Sequence, residues 1–164
     1  MTTFTTEELH DLRDRIKDVK FGMFTTLDAS GMLTSRPLTA QQLDEEGSMW
    51  FFVSDQEAFT QELVDNPSVN VSFADVDDHL YLSVSGRAEL LRDRVKAEEL
   101  WNPMVKAWFP QGLDDPHLAL LRVRVQAAEY WDTPNSKMVT LFAMAKAATT
   151  GKPPPNVGAH RHLG

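Results

Sequence analysis

The chain reads as a small antiparallel β-barrel with helices attached to it. Three observations predict this class. Six extended segments can be marked out, most of them joined by short turns of hairpin type. Helical patterns sit at the two ends and between strands, without the regular strand-helix alternation of a parallel α/β sheet. With 164 residues, 42% of them hydrophobic, including nine Phe, four Trp and seven Met, the chain has material for one core and one domain.

At the N-terminal end Leu9, Leu12, Ile16 and Val19 recur at helical spacing, and Thr5 with Glu8 has the form of a capping box. An amphipathic helix therefore opens the chain. Phe21 to Leu27 is rich in aromatic and β-branched residues, Asp28-Ala29-Ser30-Gly31 supplies turn chemistry, and Met32 to Ala40 resumes an extended pattern, which together predict a hairpin. Pro37 cannot donate to a ladder, so it marks an edge, a bulge or a bend in the second strand. Ser48 to Ser54 is a bulky run predicted as a largely buried third strand.

Asp55 to Asn66 predicts a helix with Phe59, Leu63 and Val64 on its apolar side, stopped by Pro67. Val69, Val71 and Phe73 alternate in the fourth strand. After a polar turn at Asp75 to Asp78, Leu80, Leu82, Val84 and Gly86 alternate in a fifth that pairs with it. Asp93 caps a helix running to Trp101, and Pro103 and Pro110 bracket an aromatic segment holding Met104, Trp108 and Phe109. Leu121, Val123 and Val125 alternate in a sixth strand that ends near Trp131. Met138, Leu141, Phe142 and Ala145 predict a last helix. The domain is expected to span 1–150, and 151–164, with Pro153-Pro154-Pro155 and a Gly/His end, to be an extended or disordered tail with few buried contacts.

Composition excludes several functions. There is no cysteine, hence no disulfide scaffold, thiol nucleophile or cysteine-ligated metal. The net charge is −8, and Lys146, Lys152 and Arg161 are the only formal charges from Met144 onward, so a nucleic-acid partner is not expected. The N-terminus has no basic and apolar leader pattern and no run approaches membrane-spanning length, which predicts a cytoplasmic protein without a membrane partner. Phosphate-binding glycine loops, a Gly-x-Ser-x-Gly elbow and a His-Glu-x-x-His pair are all missing. Asp75, Asp77 and Asp78 with His79 read as a solvated turn, and His160 and His162 as neighbours in a loose tail, so no metal centre is expected. His10, His79 and His117 have no adjacent nucleophile, and no catalytic constellation stands out. What remains is a surplus of aromatic residues near isolated cations, the surface chemistry that planar ligands use, although tryptophan fills cores and interfaces equally well.

Taken in order, FTTLDASGMLTSRPL over 24–38, WFFVS over 50–54, NPSVNVSFAD over 66–75, SVSG over 83–86, LWNP over 100–103, WFP over 108–110 and YWD over 130–132 resemble the bacterial general stress proteins of the pyridoxamine 5′-phosphate oxidase-like, FMN-binding split-barrel superfamily. The resemblance covers about 5–150. It implies a split β-barrel homodimer with a flavin at the subunit interface, FMN first, FAD or a deazaflavin as alternatives. It also implies either a flavin-dependent oxidoreductase or a non-catalytic flavin-sequestering stress protein, with catalytic residues unknown. Carried over by position, Ser35, Arg36 and Pro37 lie along the flavin's ring and phosphate side. Trp50, Phe51, Phe52, Val53 and Ser54 run beside the ring and ribityl chain, offering backbone groups and the Ser54 hydroxyl. Trp101 and Trp108 belong to the segment that approaches the partner's flavin. Many relatives hold the phosphate with a lysine where this chain has Phe59, leaving Arg36 as the expected cation.

Overall fold

The computed structural model describes residues 4–132, 148–151 and 159–163. Helix α1 (Thr6–Val19) starts at the expected box: Glu8 N–H donates to Thr5 Oγ1 at 3.2 Å while Thr5 N–H donates to Glu8 Oε2 at 2.8 Å. Strands β1 (Phe21–Leu27) and β2 (Leu33–Thr39) form the hairpin. Its turn is held by Asp28, whose Oδ1 accepts from Ser30 N, Ser30 Oγ and Met32 N, and by Gly31, whose φ of 82° suits glycine.

The chain then runs through β3 (Gln42–Leu43), β4 (Ser48–Ser54), α2 (Ala58–Asp65), β5 (Ser68–Asp75), β6 (Leu80–Leu91), α3 (Arg94–Leu100), α4 (Pro103–Trp108), β7 (Leu118–Asp132) and β8 (Ala159–Leu163). Asp93 and Asn102 cap α3 and α4 with their side-chain oxygens. The strands form one eight-stranded antiparallel sheet in the order β2-β1-β5-β6-β7-β4-β3, with β8 on β7.

One stretch of chain, 33–43, closes this sheet. As β2 it pairs with β1; Ala40 N–H then donates to Lys20 O, Gln41 N–H donates to Trp50 O, and β3 pairs with β4 at Trp50 and Met49. Beyond Trp50 no strand among the described residues pairs with that edge of β4, although β2 lies near it. The barrel is therefore split between β2 and the half of β4 running from Phe51 to Ser54. Inside it, Phe24, Phe51, Val71, Phe73, Leu82 and Leu121 are fully buried. Between Ser85 and Gly86 the register shifts by one residue, with Gln126 of β7 as the extra, bulged residue, and a Cβ on Gly86 would lie 2.3 Å from Arg124 O.

The expected six-stranded antiparallel barrel with flanking helices holds in class, with eight strands in place of six. β3 is two residues long and offers no alternation to read. β8 corrects the expectation of a loose tail: 159–163 is extended, but pairs along β7 and buries Leu163 at 1% exposure. Val64, expected on the apolar side of α2, is exposed, because the helix seats Phe59 and Leu63 instead. The last helix predicted through Met138, Leu141, Phe142 and Ala145 lies outside the described residues.

Candidate functional site

Alternation along β2 separates three residues that are adjacent in sequence. Thr34, Arg36 and Leu38 take one face of the strand, while Ser35 and Pro37 take the other, which is exposed. On that outer face Ser35 Oγ lies 2.6 Å from Thr25 Oγ1, and Pro37 is opposite Met23. Pro37 needs no ladder partner on its other side, since among the described residues β2 pairs with β1 alone.

Arg36 is half-buried at the split. Its Nη1 donates to Thr26 Oγ1 at 2.7 Å and to Phe24 O at 3.2 Å, and its Nη2 to Thr34 Oγ1 at 2.9 Å. Beneath it lies Phe59, 4.3 Å from guanidinium carbon to ring centroid, a cation–π contact. Burial pulls the guanidinium below its ordinary pKa, while the carboxylates of Glu62 and Glu57 oppose that pull and reduce the positive potential on offer to a ligand.

Phe59 itself is 7% exposed and packs 6.0 Å from Phe24, which in turn meets Phe51 edge-on at 5.4 Å. Its side chain is thus part of the core and the platform under Arg36. Phe51 and Val53 project into the same core. The other face of β4 sends Trp50 and Phe52 under α3 and α4: Trp50 Nε1 donates to Asp44 Oδ2 at 2.8 Å, and Phe52 meets Trp101 edge-on at 5.8 Å. Lys96 Nζ and Arg122 flank the Trp50 ring at 5.0 and 5.7 Å, in a surface depression of about 940 Å³. Ser54 Oγ accepts from Gln56 N–H at 3.2 Å. Trp108 stands out from α4 at 82% exposure.

Nine of the eleven sequence-predicted residues therefore occupy three places: Arg36 with Phe59, Phe51 and Val53 at the core end of the split, Trp50, Phe52 and Trp101 below α3 and α4, and Ser35 and Pro37 on the outer face; Ser54 at the end of β4 and the exposed Trp108 belong to none of them. Thr26 and Thr34, which hold Arg36, and Asp44, which holds Trp50, were not singled out by sequence. Strand alternation could have found the threonines, as they share the face of Arg36 and Phe24. Next to Ser54, Asp55 joins His117 (Nδ1 to Oδ1, 3.0 Å) and Arg92, so its carboxylate orients an imidazole that is half exposed.

A flavin asks for a cation for its phosphate, donors and acceptors for its pyrimidine edge and a flat apolar wall. Arg36 supplies the cation, the unpaired edge of β4 the backbone groups, and Phe52 with Trp101 an aromatic wall. The donor set fits the group.

Residues 7–155 match the sequence profile of the family described as pyridoxamine 5′-phosphate oxidase like. The protein bli-3 of Neurospora crassa is 28% identical over 157 residues, covering 90% of this chain and 75% of its own length. Among solved structures, the general stress FMN/FAD binding protein of Xanthomonas citri superposes with a TM-score of 0.68 at 32% identity, over 80% of this chain and 93% of its own. A protein of Jannaschia sp. CCS1, provisionally described as general stress protein 26, reaches 0.75 at 26% identity over 96% and 98%.

Proposed function

The chain belongs to the pyridoxamine 5′-phosphate oxidase-like family, and on that premise we propose that it binds a flavin in the split between β2 and the open half of β4. FMN is the first choice and FAD the second, in keeping with the FMN/FAD-binding relative from Xanthomonas citri. The observation that carries the reading is the unpaired β4 edge from Phe51 to Ser54 beside the strand that holds Arg36. Arg36, its guanidinium positioned by the Thr26 and Thr34 hydroxyls, holds the phosphate. Backbone groups of β4 orient the ring, and Phe52 and Trp101 exclude water from one side of it.

When bound, the flavin supplies the electron chemistry. A catalytic version of this function is favoured by one observation, the His117–Asp55 pair beside Ser54, which can hold or release a proton at His117 Nε2 while Asp55 fixes Nδ1. The working form is a homodimer with the flavin at the subunit interface. Support comes from the exposed apolar side chains of Phe21, Met23 and Leu33 on the outer face of the β1-β2 hairpin, and of Met104 and Trp108 on α4.

The test is the absorption spectrum and flavin-fluorescence quenching of the purified protein titrated with FMN, together with sedimentation. Saturable one-per-chain binding on a dimer is expected. Absence of binding at tens of micromolar FMN, or a monomer at micromolar protein, overturns the corresponding part. Reduction of the bound flavin by a nicotinamide donor, lost in His117→Ala, is expected of an oxidoreductase; bound flavin without turnover under any common reductant means sequestration.

A further inference from the structure

The outer surface of β6 and β7 gathers positive charge that the fold leaves unmatched. Arg87 and Glu89 flank the buried Ala88 in β6, and Arg122 and Arg124 flank the buried Val123 in β7, so all four side chains point outward. The register sets Arg87 opposite Arg124 and Glu89 opposite Arg122. Opposite residues of an antiparallel pair hold their Cβ atoms about 4.5–5.5 Å apart, and like charges at that spacing destabilise the sheet. Glu89 is already shared, since its Oε1 accepts from Arg122 Nη2 and lies 3.8 Å from Arg124 Nη2. Among the described residues Arg87 has neither a hydrogen bond nor an ion pair through its side chain, and Arg122 Nε is buried without a partner. These arginines line a surface depression of about 860 Å³. It reaches past the open edge of β6, where β5 has ended at the Ser68–Arg87 pair, to Leu63 and Val64 of α2, Pro67 and Leu90. Val64 is apolar and yet 79% exposed there. Glu46, on the rim, makes no ion pair with the arginines among the described residues.

We propose that Arg87 and Arg124 bind the phosphate group of a small phosphate monoester, whose apolar body lies along the open edge of β6 against Val64 and Leu90. Two facing guanidiniums with one shared carboxylate gain nothing for the fold, and an anion between them turns their repulsion into attraction. A carboxylate has two coplanar oxygens, which a single guanidinium fork occupies. A phosphate monoester carries three terminal oxygens in a tetrahedral array and a charge of about −1.5 to −2 at neutral pH, enough to bridge and neutralise two forks. The net charge of −8 turns anions away from the rest of the molecule, which makes this pair a local exception. The apolar half of the depression asks for more than a bare ion, because only a ligand with a hydrocarbon part covers Val64. This site is separate from the split: α2 turns Phe59 toward Arg36, and Val64, five residues on, toward the depression.

In the experiment, phenyl phosphate is titrated calorimetrically into the full chain and into Arg36→Ala, so that phosphate held in the split is told apart from phosphate held here. One site per chain, present in both proteins, is expected. Inorganic phosphate, which lacks the ring, and benzoate, which lacks the tetrahedral oxygens, should each bind at least about fivefold more weakly. Arg87→Gln and Arg124→Gln should each weaken phenyl phosphate by at least about fivefold, the lower end for an exposed charge-assisted contact. Val64→Ser should weaken phenyl phosphate and leave inorganic phosphate unchanged. Melting separates a ligand role from a structural one: Arg87→Gln relieves the like-charge contact, so its Tm without ligand should equal or exceed that of the parent. The proposal is overturned by no saturable binding up to the low millimolar range, by loss of the site in Arg36→Ala, or by unchanged affinity in the Arg87→Gln/Arg124→Gln double variant. Benzoate or inorganic phosphate binding as tightly as phenyl phosphate overturns it as well, as does a Tm several degrees lower in Arg87→Gln, since the arginine would then serve the fold. FMN titration of Arg87→Gln should match the parent, which keeps this test independent of the flavin reading.

Discussion

Replacing Phe59 with lysine, the residue the family resemblance implies at this position, should weaken the fold. The Phe59 ring is 7% exposed, packs 6.0 Å from Phe24 and lies 4.3 Å below the Arg36 guanidinium. Truncating a buried phenylalanine costs about 3–5 kcal/mol, and the lysine stem recovers part of that by covering the same surface. Against this recovery, the new ammonium stands beside Arg36 in place of a cation–π contact worth about 0.5–2 kcal/mol. Like charges some 4 Å apart repel by up to about 4 kcal/mol at an effective dielectric near 20, and the ammonium relieves this by losing its proton or swinging outward. A net loss of about 2–4 kcal/mol follows, or roughly 4–16 °C in Tm for a chain of this size. Urea denaturation of Phe59→Lys and Phe59→Leu provides the assay, with the leucine variant expected to lose under about 1.5 kcal/mol, as near-volume-conserving swaps do. A Phe59→Lys protein as stable as its parent, binding FMN more tightly, would refute the placement of Phe59 in the core.

Arg36→Ala should weaken FMN by roughly 10- to 150-fold, the range for about 1.5–3 kcal/mol of charge-assisted contact, and leave riboflavin, which has no phosphate, nearly unchanged. Equal weakening of both ligands would place the phosphate elsewhere. Ending the chain at Gly158 removes β8 and its buried Leu163, so a fall in Tm of at least about 4 °C is expected from the 2–5 kcal/mol typical of a lost core leucine; an unchanged Tm would mean that β8 does not dock in solution. The Ser30 hydroxyl, followed by the Met32 N–H, holds Asp28 below its usual carboxylate pKa. The hairpin turn therefore keeps this support above about pH 4 and loses it as the pH falls through the lowered native value; amide exchange at Ser30 and Met32 should speed up there in the parent and be pH-insensitive, intrinsic rates aside, in Asp28→Ala.

How much could be read in advance depended on whether a signal was local and periodic. The box at Thr5 and Glu8, the Asp28–Gly31 turn, the alternation in β5, β6 and β7 and the Asp93 cap all rest on neighbouring residues, and all are present in the structure. β8 was missed because five residues after a proline run carry no period, and their docking depends on the distant Glu129, Tyr130 and Trp131 of β7. The site was only half legible for a related reason. Ser35, Arg36 and Pro37 look like one motif, yet a strand turns successive side chains to opposite faces. Only Arg36 can therefore serve a ligand in the split by its side chain, while Ser35 and Pro37 face the outer surface where a second subunit is proposed to pack. A resemblance in sequence transfers a backbone position, but the pleat decides which face the side chain serves. The same step explains Phe59: helix α2 turns it inward beneath Arg36, so the proposed phosphate site rests on an aromatic platform and a single guanidinium. With Glu57 and Glu62 nearby, that cation is weaker than an arginine–lysine pair would be, and phosphate-dependent affinity, measured as the FMN-to-riboflavin ratio, should be lower here than in a relative that keeps the lysine.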